Sequence, residues 1–311
     1  MDMNRISDPA RASISRPAFD GSLVPGNGSL YPRISVVTPS FNQADFLERT
    51  ICSVLNQDYP NLEYIVMDGG SRDGSLEIIK GYERQLSFWN CEKDAGQSDG
   101  INKGFLKSTG DILAWLNSDD TYLPGTLKKV VAFFVAHPMV DVLYGDAHIV
   151  DEKDWVVRDL KEVRFSKGAL RSWQMNLVQP STFWRRDLFF AAGMLRPQFH
   201  YAMDVDLWFR FLNSGAAFAH IPEFLSNFRL HAASKSVSQG GAFAREFELA
   251  CVDAFGAAPG ALTAYGIRWT HILRRFVLFL LQGDLAYAND GACQRLRDLI
   301  AGRGTKEHID G

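Results

Sequence analysis

Cysteine is scarce in this chain: four residues, at positions 52, 91, 251 and 293, with no C-x-x-C pair and no histidine cluster beside them. That spacing argues against zinc ligation and a disulfide framework and points to a reducing compartment. Charge of one sign is not in excess either. The formal net charge is -3, so no basic field is present to hold nucleic acid as the main partner. Long hydrophobic runs are missing: the strongest near the C-terminus covers only residues 276–281, against the about 20 apolar residues that a spanning helix needs. The first thirty residues, rich in Ser, Pro, Gly and Arg, lack the apolar core of a signal peptide. Residues 1–30 are therefore expected to be a flexible tail, and the protein to be soluble or peripheral. No internal repeat or low-complexity tract is visible.

What is present is enough apolar residue, 46% of 311, to build a large core. From residue 31 strand-like and helix-like segments alternate. Residues 34–38, 62–67, 87–89 and 112–116 read as strands. Residues 46–55, 76–82, 98–107 and 127–136 carry helical spacing. Such alternation predicts an α/β fold with a mostly parallel sheet covered on both faces. Further on, residues 142–144, 183–184 and 217–221 read as strands and 204–212 as a buried helix. After residue 238 the pattern turns helical, over 243–255, 267–281 and 293–300. A boundary near residue 238 divides a main domain, 31–238, from a helical extension, 239–311.

The segment G-D-I-L-A-W-L-N-S-D-D, residues 110–120, ends an apolar run in two adjacent carboxylates. In open α/β sheets the ligand crevice lies outside the carboxyl ends of the strands. Asp119 and Asp120 could cap the following helix, but two adjacent caps are more than one helix requires. Unit charges 4 Å apart interact by about 4 kcal/mol at an effective dielectric of 20, so acids facing a diphosphate need a cation between them. Mg²⁺ or Mn²⁺ suits that company. Asp68 ends an earlier strand before two glycines, where it can take hydrogen bonds from a base or a ribose, or order a turn; Asp73 suits a helix cap. Residues 92–104 open a helix with glycines, as anion sites do, or form a loop with Ser98 as its cap. Asn102 and Gly104 sit inside that helix against their propensity, which suggests close packing on a ligand. Asp204 and Asp206 open the helix at 204–212. Two residues apart on a helix do not share a face, so one can face a cleft as a base while the other serves the helix dipole. His231, at the end of F-R-L-H, is a metal or phosphate ligand or a solvated histidine.

Taken together, ISVVTPSFNQ (34–43), VMDGGSRDGS (66–75), EKDAGQSDGINKG (92–104), ILAWLNSDD (112–120), QPSTFWRR (179–186), MDVDLWFRF (203–211) and FRLHAASKS (228–236) resemble a family 2 glycosyltransferase of the GT-A type. The resemblance covers roughly residues 32–238, and the specificity lies in the joint order. It implies a Rossmann-like GT-A fold and inverting transfer of a sugar from a nucleotide diphosphate donor to an acceptor hydroxyl. In that pattern Pro39, Ser40 and Asn42 line the nucleotide pocket and Asp68 contacts base or ribose. Asp94 and Asn102, with Asp99, shape the donor site. The acidic metal motif falls on residues 117–120. Asn117 stands at its first acidic position, so Asp119 and Asp120 are left to carry Mn²⁺ or Mg²⁺. Asp120 is expected to ligate directly and Asp119 to contact the ribose or the outer ligands of the metal. Asp204 matches the catalytic base, although Met203 stands where an acid often precedes it. His231 corresponds to a ligand of diphosphate or metal in some members. A UDP-sugar is the default donor, a saccharide or lipid-linked saccharide the acceptor, and cell-surface polysaccharide or glycoconjugate synthesis the setting, in the cytoplasm or at the cytoplasmic membrane face.

Two other readings are open to residues of this kind. A sugar-phosphate nucleotidyltransferase would show a glycine-rich basic loop after the first strand, where this chain has P-S-F-N-Q. A non-catalytic nucleotide-binding scaffold would lack the base. The extension, with Arg268, Arg274, Arg275, Arg295 and Arg297 around Trp269, Phe276 and Phe279, suits a cap docked on the main domain, a dimer contact or a peripheral helix on an anionic membrane; docking is the preferred expectation.

Overall fold

The computed structural model describes residues 32–171, 177–231, 234 and 240–257. The expected N-terminal tail and the helices at 267–281 and 293–300 lie outside the described residues. The elements are β1 (Ile34–Ser40), α1 (Ala44–Leu55), β2 (Leu62–Asp68), α2 (Ser75–Tyr82), β3 (Phe88–Cys91), α3 (Gln97–Lys107), β4 (Ile112–Trp115), β5 (Thr121–Tyr122), α4 (Thr126–Ala136), β6 (Val142–Val150), β7 (Val156–Leu160), α5 (Lys167–Arg171), a 3-10 turn (Gln179–Ser181), β8 (Thr182–Arg185), α6 (Arg186–Ala191), α7 (Met203–Asn213), β9 (Phe218–Arg229) and α8 (Gly240–Phe255).

The strands form one sheet in the order β3-β2-β1-β4-β8-β6-β9-β5, with β7 paired to the end of β6. The alternating first half gives the parallel run β3-β2-β1-β4, as the strand–helix periodicity predicts. The second half turns the sheet mixed: β6 and β9 are parallel, while β8, β7 and β5 pair antiparallel. β1 is buried along its whole length, because side chains alternate between two covered faces. Val36 points into one hydrophobic cluster with Leu47, Ile51, Ile79, Leu127 and Val130, from α1, α2 and α4. Val37 points into the other, with Ile101 and Phe105 of α3, Trp208 of α7 and Ala250 and Cys251 of α8.

Gly104 belongs to this packing. A β-carbon there would lie 2.6 Å from Val37 Cγ1, so glycine lets α3 approach β1 and β2. The close packing expected on a ligand is instead packing on the sheet. β9 runs well past the predicted 217–221. Its pairing with β6 slips between Gly145 and Asp146, so that Gly145 faces Ile221 and Asp146 faces Phe224. That irregularity takes up Pro222, which has no N–H to give a regular ladder. Among the described residues no helix is long and apolar enough to cross a membrane.

Candidate active site

The carboxyl ends of β1 and β2 lie side by side, with Pro39 opposite Met67 and Ser40 opposite Asp68. The Ser40 hydroxyl is buried there without a protein partner. Asn42 follows with φ 51°. Its side-chain oxygen accepts from the Arg72 amide at 3.0 Å, and its own amide donates to Ser71 Oγ at 2.7 Å. The loop after β1 is thus tied to the loop after β2. Asp73 joins in, accepting from the Ala44 amide at 2.9 Å and so ordering the start of α1 from outside it. Asp68 is buried. It accepts from the amides of Gly70 and Ser71 at 3.0 and 2.7 Å, from Ser71 Oγ at 2.7 Å, and from the Cys91 thiol at 3.1 Å. The turn alternative for Asp68 is therefore realised. Its carboxylate also lines a small cleft with Asn90, Glu92, Asp94, Gly100 and Lys103. Asp94 Oδ1 accepts the Gly96 amide at 2.9 Å. Asp99 accepts the Ala95 amide and pairs with Lys103 at 2.7 Å, and these two partners hold its carboxyl below the usual range. Asn102 is turned elsewhere: its amide exchanges two hydrogen bonds with the Leu195 backbone, at 2.8 and 3.0 Å.

The two acids after β4 differ. Asp119 keeps 20% side-chain exposure and brings Oδ2 to 3.0 Å from His231 Nε2. Asp120 is 1% exposed. Its Oδ1 accepts the Arg229 amide at 2.9 Å, and Asn117 Nδ2 lies 3.4 Å from Oδ2. Burial first, then the Asp119 charge, pushes the Asp120 carboxyl well above the usual range, against the pull of the Arg229 amide and Asn117. Asp119 is thus the accessible carboxylate and Asp120 the buried one that shapes the turn. Among the described residues no three His, Cys, Asp or Glu side chains gather as a metal site. At this turn Asp119 and His231 face each other at 3.0 Å. A carboxylate such as Asp119, completed by substrate phosphates and water, is the company that Mg²⁺ or Mn²⁺ keeps, and the His231 imidazole would add a nitrogen donor beside it.

Arg229 holds this corner together. It is fully buried, and its Nε donates to Asp119 O at 2.8 Å while one terminal nitrogen donates to Asp151 O at 2.8 Å. The other pairs with Asp154, and the guanidinium lies over the Phe46 ring. Asn117, where the family pattern has an acid, links Gln97 of α3 (2.8 Å) to Gln179 (3.2 Å), and Gln179 Nε2 donates to Trp115 O at 2.7 Å. The departure from the acidic spelling thus builds an amide chain under the turn.

α7 begins at Met203. Its first turn carries both acids, and the structure separates their roles. Asp206 is 1% exposed and lies between Arg196 and Arg210, an ion-pair core. Asp204 Oδ1 accepts the Val205 amide at 2.8 Å. Burial pushes its carboxyl up to about 6. Met203, in place of an acid, is buried with its thioether 3.1 Å from Ser98 Oγ. The first turn of α3 therefore touches the turn after β4 through Gln97 and α7 through Ser98. The sequence offered no signal for Arg229 beyond a charge in an apolar strand, and none for Gln97 or Gln179 as linkers.

A family model described as "Glycosyl transferase family 2" matches residues 35–195, just over half of the chain. An uncharacterized glycosyltransferase of Rickettsia typhi is 29% identical over 208 residues, 64% of each chain. The putative teichuronic acid biosynthesis glycosyltransferase TuaG of Bacillus subtilis is 35% identical over 107 residues, 33% of this chain and 42% of that one. The chain thus spans under two thirds of the length of these relatives. Among solved structures, TarS residues 1–349 of S. aureus in complex with UDP-GlcNAc superposes with a TM-score of 0.60 at 18% identity, over 79% of this chain and 73% of that one. The mannosyltransferase PcManGT of Pyrobaculum calidifontis, in complex with GDP-Man and Mn²⁺, gives 0.55 at 19%, over 87% and 80%. These likenesses show the fold.

Proposed function

From the premise that the chain belongs to glycosyl transferase family 2, we propose that it transfers a sugar, with inversion, from a nucleotide diphosphate donor to an acceptor hydroxyl. The observation that carries this is Asp204: a carboxyl in the first turn of a rigid helix, without a side-chain partner, pushed up to about 6. A base works best with its pKa near the operating pH, and Asp204 stands apart from the arginine pairs that occupy Asp206. In the proposed reaction Asp204 takes the proton of the acceptor hydroxyl as that oxygen attacks the anomeric carbon. The bond to the diphosphate breaks on the opposite side, so the configuration inverts and no glycosyl-enzyme forms. Asp119 and His231 would hold a divalent cation, Mn²⁺ or Mg²⁺, which when bound stabilises negative charge on the departing diphosphate. The buried Ser40 hydroxyl, Asn42 and the Asp68–Asp94 cleft belong to the nucleoside side of the site.

A UDP-sugar is the proposed donor. TarS in complex with UDP-GlcNAc supports that reading through the shared fold, and PcManGT in complex with GDP-Man makes a guanosine donor the alternative to test. Cell-surface polysaccharide synthesis, on a saccharide or lipid-linked acceptor at the cytoplasmic membrane face, is the proposed setting, supported by the likeness to TuaG. The expected result is Mn²⁺-dependent release of nucleoside diphosphate from one member of a panel of UDP-, GDP- and dTDP-sugars. Pyrophosphate release from a nucleoside triphosphate and sugar phosphate would instead make the protein a nucleotidyltransferase, and donor binding without turnover on mixed acceptors would make it a scaffold. Association of residues 239–311 with anionic membranes is tested by liposome flotation with and without them.

A further inference from the structure

α8 lies beyond the matched residues 35–195, yet one of its side chains reaches the approach to Asp204. Glu246 Oε2 accepts from three consecutive backbone amides, His200 at 2.9 Å, Tyr201 at 2.7 Å and Ala202 at 2.9 Å, and Oε1 accepts from His200 at 3.0 Å. Ala202 is the residue before α7 and has no side chain with which to cap it. Its carbonyl accepts the Asp206 amide at 2.9 Å, closing the helical turn that contains Asp204. A carboxylate that accepts several N–H bonds is a strong anchor, because charge-assisted bonds are about twice as strong as neutral ones. α8 is itself held independently, by Phe247 and Phe255 against Phe209 and by Asn213 Nδ2 on Ala254 O at 2.6 Å.

We infer that Glu246 is a positioning residue for the transfer reaction: it fixes the segment 200–202 and through it the place of Asp204, making the helix after residue 239 a working part of the active site. The inference rests on the reading of Asp204 as the base. Displacements of about 1 Å in a reacting group can cost on the order of 10²-fold in rate, and a loosened segment acts on kcat while leaving the metal and nucleotide contacts in place.

The test uses the full chain, the nucleotide-sugar selected by the donor panel, and the variants Glu246→Ala, Glu246→Gln and Asn213→Ala. Glu246→Ala is expected to lower kcat about tenfold or more with an unchanged donor KM, and to speed hydrogen exchange at the amides of residues 200–202. Glu246→Gln keeps an acceptor oxygen and should recover part of both. Asn213→Ala loosens the far end of α8 and should stay near the wild-type kcat. Wild-type kcat in Glu246→Ala, or equal kcat losses in Glu246→Ala and Asn213→Ala, overturns the inference, as does unchanged exchange at residues 200–202. Asp204→Asn, run in parallel, separates the two claims: full turnover there refutes the base, whereas an inactive Asp204→Asn beside a fully active Glu246→Ala refutes only the positioning.

Discussion

At the turn after β4 the Asp119 carboxylate meets His231 Nε2 at 3.0 Å, while Asp120 is buried against the Arg229 amide, so the two positions predict different outcomes. Asp119→Asn should weaken binding of the donor nucleotide at least tenfold when Mn²⁺ is present and hardly at all in a chelator, as calorimetric titration would read; equal losses in both conditions would count against a ligand role. Asp120→Ala leaves the Arg229 amide without its partner and should cost about 1–3 kcal/mol more than Asp120→Asn in denaturant unfolding, the usual penalty for an orphaned buried donor. Asp204 carries a pH prediction. A base must be deprotonated, so kcat should rise with pH through about 6. Its folded pKa lies above the ordinary 3.8. The stability it contributes is therefore full below the ordinary value and is lost as pH rises through about 6. Asp204→Asn should consequently raise Tm relative to wild type at pH 7.5 and not at pH 3.5. At this scale the acids were legible, because they end strands or open a helix. Their division of labour was not, since it depends on Arg229, 109 residues beyond Asp120, and on two arginines that neutralise Asp206.

α3 illustrates what periodicity conveys and omits. The helix itself follows from its apolar spacing. The meaning of its unusual residues lies in what packs on it: Gly104 against Val37, Gly100 beside Asp94, Asn102 on the Leu195 backbone. Gly104→Ala places a methyl 2.6 Å from Val37 Cγ1 and 3.0 Å from Met67 Cγ. Overpacking of a filled core costs about 1–3 kcal/mol, and thermal unfolding should show that loss in spite of the better helix propensity of alanine; a stabilised variant would mean that α3 can move off the sheet. β6 and β9 show the opposite limit. Their lengths were underread because Gly145, Pro222 and Glu223 break the alternation, and only the partner strand reveals that the break is a slip in register.

Across the whole molecule, the parallel half of the sheet was legible because each strand is a buried apolar run between amphipathic helices. The antiparallel half was not, since β5, β7 and β8 are short or polar and acquire meaning only from their partners. Residues 240–255 share a hydrophobic cluster with α3 and α7, and Glu246 connects that packing to the approach to Asp204. The Asp119–His231 corner is proposed to hold the donor and Asp204 to perform the chemistry, with α3 joining the two. The most direct test of that division is a paired measurement on Asp204→Asn: sugar transfer, and Mn²⁺-dependent binding of the donor nucleotide. Transfer is expected to fall by a factor of at least about 10², the scale of a lost general base, with binding within about twofold of wild type. Transfer retained at close to the wild-type rate would contradict that division.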